Sequence, residues 1–285
     1  MRKLLFLLLP LLLIAPPSIV SAWGLPSFGG GSGGPAPLYV ALGDSVSSGY
    51  GNATQANGAC ARMKEGHPFV TRDKLGFEMT NVSCAGATVK KGIMGTQIRG
   101  YNVVSPQIDN LKAATVPGLI TLTIGGNDVE FSTIYEKCHT ATCGTDADTA
   151  SYESALLAAQ ANIKTVYDKI QSLYGDNAPL TIAIAYPTIF PNNLYDCPSL
   201  NGISSSELAW LRDVFMVRLN QTIASAAADY PFVHYVQVDS YVGHEVCTGD
   251  SWFFGTETNG YLHPTARGQQ VISDKVVEAY SLLTQ

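Results

Sequence analysis

Short apolar runs alternate along the chain with longer stretches whose apolar residues recur at helical spacing. The runs rich in strand-forming residues are 38–42, 77–83, 118–124, 180–185 and 232–238. Helices are predicted at 67–74, 105–115, 129–137, 150–173, 204–228 and 266–283. Strands that alternate with helices are typical of βαβ units. The pattern therefore predicts a three-layer α/β/α fold with a central five-stranded parallel sheet.

Polar residues or glycines follow the first three predicted strands. Asp44-Ser45 comes after the first, Gly86 after the second and Asn127 after the third. Because the carboxyl ends of parallel strands lie at one edge of a sheet, we expect these segments to border one cleft. His263, just before the last predicted helix, is expected on the same side. Taken singly, each residue suits an ordinary turn, loop or helix cap, and it is their shared position that favours a site.

The composition indicates a globular protein, with one domain as the default. The chain has 285 residues, of which 46% are hydrophobic and 14% are charged, so it can bury a sizeable core. The formal net charge of −6 argues against a nucleic-acid partner, which would favour a basic patch.

The N-terminal segment has the organisation of an export signal. A positively charged start precedes the apolar run 4–15, and small residues suitable for cleavage follow it. The run is shorter than the roughly 18 residues of a membrane span, which favours a signal peptide at 1–22 over an uncleaved anchor. Residues 23–37 are rich in Gly, Pro and Ser and predict a linker, with the folded domain at 38–285.

Six cysteines fit an exported chain, in which an even number favours disulfides. Fifteen pairings are formally open. Sequence order suggests the pairs Cys60–Cys84, Cys138–Cys143 and Cys197–Cys247. A metal site is the competing interpretation, but the chain has no CxxC motif or paired ligand spacing to favour it.

These residues together resemble the SGNH hydrolases, the GDSL family of lipases and esterases. Ser45 matches the Gly-Asp-Ser block, Gly86 the glycine block, Asn127 the Gly-Gly-Asn-Asp block and His263 the C-terminal histidine block. The blocks occur in the family's order and span the chain from Leu38 to its C terminus. The six cysteines also resemble the three-disulfide pattern of secreted actinobacterial members. The resemblance implies a flavodoxin-like sheet and an SGNH hydrolase domain at 38–285.

One position departs from the family pattern. The family usually has Asp three residues before the histidine, where this chain has Gly260. A carboxylate at that position normally holds the imidazole in one tautomer. Some secreted members use a backbone carbonyl instead, so the resemblance implies that the carbonyl of Gly260 or Tyr261 orients His263. The side chain of Asn259 is a weaker candidate.

The resemblance implies a secreted hydrolase of carboxylic esters in lipids or acyl compounds, of the lipase, esterase or phospholipase type. Ser45 would be the nucleophile and His263 the general base. The backbone N–H groups of Ser45 and Gly86 and the amide of Asn127 would form the oxyanion hole. We expect no cofactor or metal, a small-molecule or lipid ester substrate, a monomer and transient contact with a lipid surface.

Two other functions remain open at this stage. A carbohydrate acetyl esterase would use the same residues on a different acyl group. A non-catalytic binding protein could keep the fold with an unreactive Ser45. The aromatic segment 252–254 would suit an acyl chain, although it also suits the core.

Overall fold

The computed structural model describes residues 35–285, which contain a central sheet with helices on both faces. The strands of the sheet are β1 Leu38–Gly43, β2 Glu78–Asn81, β3 Leu119–Thr123, β4 Thr181–Ile184 and β5 Val233–Val236. The α-helices are α1 Ser45–Ser48, α2 His67–Leu75, α3 Phe131–Thr140, α4 Asp146–Tyr174, α5 Ser205–Ala209, α6 Val217–Ala227 and α7 Ala266–Leu283. A π-helical segment, Trp210–Met216, joins α5 to α6. The predicted signal peptide, 1–22, and residues 23–34 of the predicted linker lie outside the described residues.

All five strands are parallel, in the order β2-β1-β3-β4-β5. The predicted α/β fold with a five-stranded parallel sheet is therefore confirmed. Strand β3 shows why the sequence pattern was informative, since all five of its residues are buried. A parallel sheet covered on both faces needs nearly continuous apolar strands. Within the sheet, the buried hydroxyls of Tyr39 on β1 and Thr121 on β3 form a hydrogen bond with each other at 2.7 Å.

The handedness of the connections assigns the helices to the two faces. The chain moves one way along the sheet from β1 to β2, and the opposite way from β3 through β4 to β5. Because crossovers between parallel strands are right-handed, α2 lies on one face and α4 and α6 lie on the other. The helices pack accordingly, α2 against α7 and α4 against α6. The strand ends between these layers hold the polar residues singled out above.

The predicted helix at 105–115 is wrong. Only a short 3₁₀ turn, Gln107–Asn110, forms there. The side chain of Gln107 instead bonds both backbone groups of Gly43, accepting from its N–H at 2.8 Å and donating to its carbonyl at 2.9 Å. The backbone N–H of Gln107 donates to the Gly92 carbonyl at 2.8 Å. These long-range bonds tie the segment to the end of β1, and a local helix pattern gives no sign of them.

Two small antiparallel hairpins were not predicted. One pairs Gln55–Asn57 with Arg62–Met63, and the other pairs Gln97–Arg99 with Asn102–Val104. Each strand has only two or three residues, which is too short for a pattern of alternating polar and apolar positions to stand out. The second hairpin borders the cavity described below.

The structure contains three disulfides, Cys60–Cys84, Cys138–Cys143 and Cys197–Cys247, which are the pairs suggested by sequence order. The first is important for the site because Cys84 lies two residues before Gly86. The neighbouring bond from the Ala85 N–H to the Cys60 carbonyl, 3.0 Å, fixes the same loop.

No helix in residues 35–285 is both long enough and apolar enough to cross a membrane. No cluster of three His, Cys, Asp or Glu side chains in the same range is arranged to hold a metal ion.

Candidate active site

Ser45 stands at the carboxyl end of β1, where it begins helix α1. The turn before it requires glycine, because Gly43 has a φ of +143° and an added Cβ would lie 2.5 Å from the Ser47 hydroxyl. Asp44 caps the short helix by accepting from the Val46 N–H at 2.9 Å. The strand therefore ends in a tight turn that presents the Ser45 side chain to the cavity above the sheet.

His263 is the hydrogen-bond partner of Ser45, with Nε2 2.7 Å from the serine Oγ. The other ring nitrogen, Nδ1, lies 2.9 Å from the Tyr261 carbonyl. A carbonyl only accepts hydrogen bonds, so Nδ1 carries the proton and Nε2 of the neutral ring is the acceptor. The Gly260 carbonyl accepts from the backbone N–H of His263 at 3.0 Å. Of the two carbonyls considered, Tyr261 contacts the ring and Gly260 fixes the backbone.

The surroundings of His263 favour the neutral imidazole. Burial lowers the pKa of His263 below its ordinary value of 6.5, and the bond to the Tyr261 carbonyl offsets only part of this effect. The ring of Tyr50 packs edge-on against the imidazole at 5.0 Å between centroids. A neutral ring in this position can accept the serine proton.

Three N–H donors belong to residues that line the same cavity, those of Ser45, Gly86 and Asn127. Among the described residues, the backbone N–H groups of Ser45 and Gly86 donate to no backbone or side-chain acceptor. Gly86 adopts a φ of +75°, a conformation that glycine enters without strain. The side-chain amide of Asn127 donates one proton to the Ala87 carbonyl at 2.9 Å, which fixes its orientation and leaves its second proton free. All three residues line the cavity, so the arrangement can hold an oxyanion.

Tyr186 is a site residue that the sequence interpretation missed. Its hydroxyl donates to the buried carboxyl of Asp44 and accepts from the Gly126 N–H at 2.9 Å. Burial raises the pKa of Asp44 to about 7, against the lowering effect of the Tyr186 bond. Asn220 holds the backbone of Tyr186 with two hydrogen bonds, of 2.9 and 2.8 Å. The tyrosine thus joins the serine turn to the turn that carries Asn127.

Asp128, next to Asn127, has a separate structural contact. Its carboxylate accepts from the Val89 N–H at 3.0 and 3.2 Å, which links the third strand's turn to the loop after Gly86. Burial raises the pKa of Asp128 to about 6. Asp128 therefore stabilises the loop through a backbone N–H and is not the residue that orients His263.

A cavity of about 260 Å³ opens beside Ser45 and His263. The polar groups described above line part of it. Its other lining residues include an apolar group that we call the apolar wall, Phe131, Tyr135, Ile189, Met216 and Leu219. Such a wall can hold a hydrocarbon chain in contact with the reacting hydroxyl.

The aromatic segment considered for the acyl chain lies elsewhere. Trp252 and Phe253 are 9% and 4% exposed and pack in the core. The Trp252 ring stacks on His244 at 3.6 Å, and Tyr241 packs against both aromatic rings. None of these residues lines the cavity. The loop from Pro187 to Asn201 does contribute, through Ile189.

The chain is similar to known proteins over most of its length. The model of the GDSL-like Lipase/Acylhydrolase family matches residues 41–271. Lipase 1 of Streptomyces coelicolor is 28% identical over 245 residues, covering 81% of this chain and 82% of that protein. A lipase of Streptomyces rimosus is 29% identical over 243 residues, covering 81% of this chain and 82% of that protein.

The chain is also similar to solved structures of lipid-ester hydrolases. The extracellular lipase of Streptomyces rimosus has a TM-score of 0.68 at 26% identity, covering 87% of this chain and all of that one. Phospholipase A1 of Streptomyces albidoflavus has a TM-score of 0.65 at 26% identity, covering 87% of this chain and 99% of that one. The chain therefore belongs to the GDSL-like lipase/acylhydrolase family, the SGNH family that its sequence resembles, and is a carboxylic ester hydrolase.

Proposed function

We propose that the protein is a secreted serine hydrolase that cleaves esters of lipids or other acyl compounds through a Ser45–His263 dyad. The observation that carries the proposal is the 2.7 Å contact between Ser45 Oγ and His263 Nε2 in a cavity that is partly lined by apolar side chains. The family membership reported above agrees with this chemistry.

The first half-reaction acylates Ser45. His263 Nε2 takes the hydroxyl proton while Ser45 Oγ attacks the carbonyl carbon of the ester. The carbonyl oxygen becomes an oxyanion, held by the N–H groups of Ser45 and Gly86 and by the Asn127 amide. The carbon–oxygen bond to the alcohol then breaks, and the departing alcohol takes the proton from His263. The acid part remains bound to Ser45 as an ester.

The second half-reaction releases the acid. His263 takes a proton from water, and the resulting hydroxide attacks the acyl carbon of the Ser45 ester. The bond to Ser45 Oγ breaks, and the serine recovers its proton from His263. The Tyr261 carbonyl keeps Nδ1 protonated throughout, the role that an acidic residue has in a triad.

Export is part of the same proposal. Cys60, Cys138 and Cys197 each form a disulfide, as expected in an oxidising compartment. The similar protein of Streptomyces rimosus is described as extracellular. We propose that residues 1–22 are removed on export and that 38–285 is the catalytic domain.

Hydrolysis of p-nitrophenyl esters of increasing chain length tests the proposed substrate class. The apolar wall is expected to give an optimum with acyl chains longer than acetyl, because each buried methylene adds about 0.8 kcal/mol of binding. Acetylated sugars are the comparison. A preference for them, with acetyl as the optimum among the p-nitrophenyl esters, would favour a carbohydrate acetyl esterase over this proposal.

Replacement of Asn127 with alanine is expected to lower kcat by about 10²- to 10³-fold with little change in KM. The amide contacts the oxygen only when it carries the developing negative charge. Steady-state kinetics on one p-nitrophenyl ester measures both constants. Asn259→Ala is the matched control, because Asn259 also lines the cavity. Orientation of His263, the role considered for Asn259 from the sequence, belongs to the Tyr261 carbonyl. A change in KM alone for Asn127→Ala would contradict the oxyanion role.

The pH dependence of kcat/KM is expected to show an acid limb below pH 6.5. Neutral His263 is the active base, so activity falls as pH drops through its pKa, and burial lowers that pKa below 6.5. The measurement is a kcat/KM profile from pH 4 to 8. An acid limb above pH 6.5 would contradict the role given to His263, and Asp44, whose pKa burial raises to about 7, would be the alternative group to test.

A further inference from the structure

The hairpin formed by Gln97–Arg99 and Asn102–Val104 forms part of the rim of the cavity and has two different faces. Side chains alternate along a strand, so Gln97 and Arg99 share one face while Ile98 points the other way. Gln97 is 6% exposed, and Arg99 lines the cavity together with Ser45. On this inner face Gln97 pairs with Val104 and Arg99 pairs with Asn102, and Arg99 is the residue that reaches the candidate active site.

The guanidinium of Arg99 lies close to the proposed oxyanion hole. A Cβ added to Gly86 would lie 3.3 Å from Arg99 Nη1 and 3.7 Å from Gln97 Nε2. The amide of Gln97 is itself anchored, because it donates to the Ala85 carbonyl at 2.9 Å. The cation consequently stands beside Gly86, which lines the cavity and whose N–H has no acceptor among the described residues.

Arg99 has no anionic partner among the residues that the structure describes. No carboxylate in 35–285 forms a salt bridge with it. Its Nε is buried and makes no hydrogen bond, and the Oε1 of Gln97 on the same strand is also buried without a partner. A partly buried guanidinium without a partner is costly, and an anion on the ligand would supply the missing contact. Within the described chain, no other lysine or arginine lines the cavity.

The outer face of the same hairpin is apolar. Ile98 and Val103 form a cross-strand pair and are each 75% exposed, and Tyr101 at the tip is fully exposed. Apolar side chains grouped beside a cavity mouth suit contact with lipid rather than with water. The anion that pairs with Arg99 is therefore more consistent with a lipid headgroup than with a small soluble ester.

We propose that Arg99 binds the phosphodiester of a glycerophospholipid whose acyl ester lies at Ser45. The proposal rests on the ester hydrolase function above and names a substrate class for it. A guanidinium can donate two parallel hydrogen bonds to phosphate oxygens, which gives orientation as well as affinity. The phosphate side of the lipid then faces Arg99, and the acyl chain runs along the wall at Phe131 and Leu219.

Two substrates with the same acyl chains test the proposal, dihexanoylphosphatidylcholine and dihexanoylglycerol, both kept below aggregation. Arg99→Gln is expected to lower kcat/KM on the phospholipid by about 10- to 100-fold, the effect of losing a charge-assisted hydrogen bond. Activity on the neutral glyceride is expected to change little. Arg99→Lys should recover part of the loss, because lysine keeps the positive charge but cannot donate two parallel hydrogen bonds to the phosphate. Arg72→Gln, which removes an exposed arginine paired with Asp73, is the control.

The outcomes separate this inference from the function on which it rests. Equal losses on both substrates, or no loss on either, would overturn the phosphate contact. Wild-type activity on the glyceride but not on the phospholipid would also overturn it, while leaving the ester hydrolase proposal intact. Wild-type inactivity on both esters and on every p-nitrophenyl ester would overturn the proposed function itself. An Arg99-dependent preference for p-nitrophenyl hemisuccinate over the phospholipid would assign the cation to a carboxylate and overturn the lipid source.

Discussion

Replacement of Ser45 with alanine is expected to lower kcat on p-nitrophenyl esters by about 10⁶-fold. Without the hydroxyl no acyl-enzyme forms, and water must attack the bound ester directly. The residual rate would come from the N–H donors and the binding cavity, which the substitution leaves in place. The measurement is kcat of purified wild type and variant on the best ester of the chain-length series.

Two controls accompany the Ser45 variant. Ser132→Ala removes another hydroxyl that lines the same cavity. It is expected to keep most of the activity, because no histidine in residues 35–285 forms a hydrogen bond with Ser132. The thermal midpoint of Ser45→Ala should stay close to that of wild type, since only one partly buried hydroxyl is lost. If Ser132→Ala lost activity and Ser45→Ala kept it, Ser132 would be the nucleophile and the role given to Ser45 would be wrong.

Replacement of His263 with alanine is expected to lower kcat by about 10⁴- to 10⁶-fold. The serine hydroxyl then has no base 2.7 Å away, and the departing alcohol has no acid to protonate it. Because Ser45 and His263 act as a unit, the double variant should be no less active than either single variant. A double variant much weaker than both would show that the two residues act independently.

Rescue by added imidazole distinguishes a catalytic role of His263 from a purely structural one. Imidazole can occupy the space left by the His263 ring and restore part of the activity of His263→Ala, in a concentration-dependent way. The same addition should not rescue Ser45→Ala. His244→Ala is the matched histidine control, because that ring stacks on Trp252 outside the cavity.

The elements predicted best are those whose pattern is long or whose burial is complete. Helix α7 was predicted at 266–283 and occupies Ala266–Leu283. Its 18 residues carry a regular apolar face, and Thr265 caps it by accepting from the Gly268 N–H. Strand β3 was predicted because a strand covered on both faces leaves an almost unbroken apolar run.

The candidate site was predictable as far as strand ends could be located. Ser45, Gly86 and Asn127 follow consecutive strands, and topology alone brings consecutive parallel strand ends to one edge. The same reasoning could have reached Tyr186, which follows β4, but a tyrosine after a strand gives no sign that it bonds Asp44. That contact depends on how two loops approach each other across the sheet.

The remaining features depend on tertiary packing that local patterns do not encode. The helix predicted at 105–115 gives way to a segment held by Gln107 against Gly43. The aromatic segment 252–254 suited an acyl-chain site, yet Trp252 and Phe253 pack in the core. Arg99 lies on a hairpin whose strands have three residues each, too short to be predicted, so its position in the cavity could not be anticipated.

The most direct test of the central claim is to find which residue reacts covalently. Wild-type protein treated with an organophosphorus ester should take up one equivalent of label, lose activity in proportion and carry the label on the peptide that contains Ser45. His263→Ala should react far more slowly, since its serine lacks a base. An active protein that takes up no label, or that carries it on a residue other than Ser45, would contradict the account.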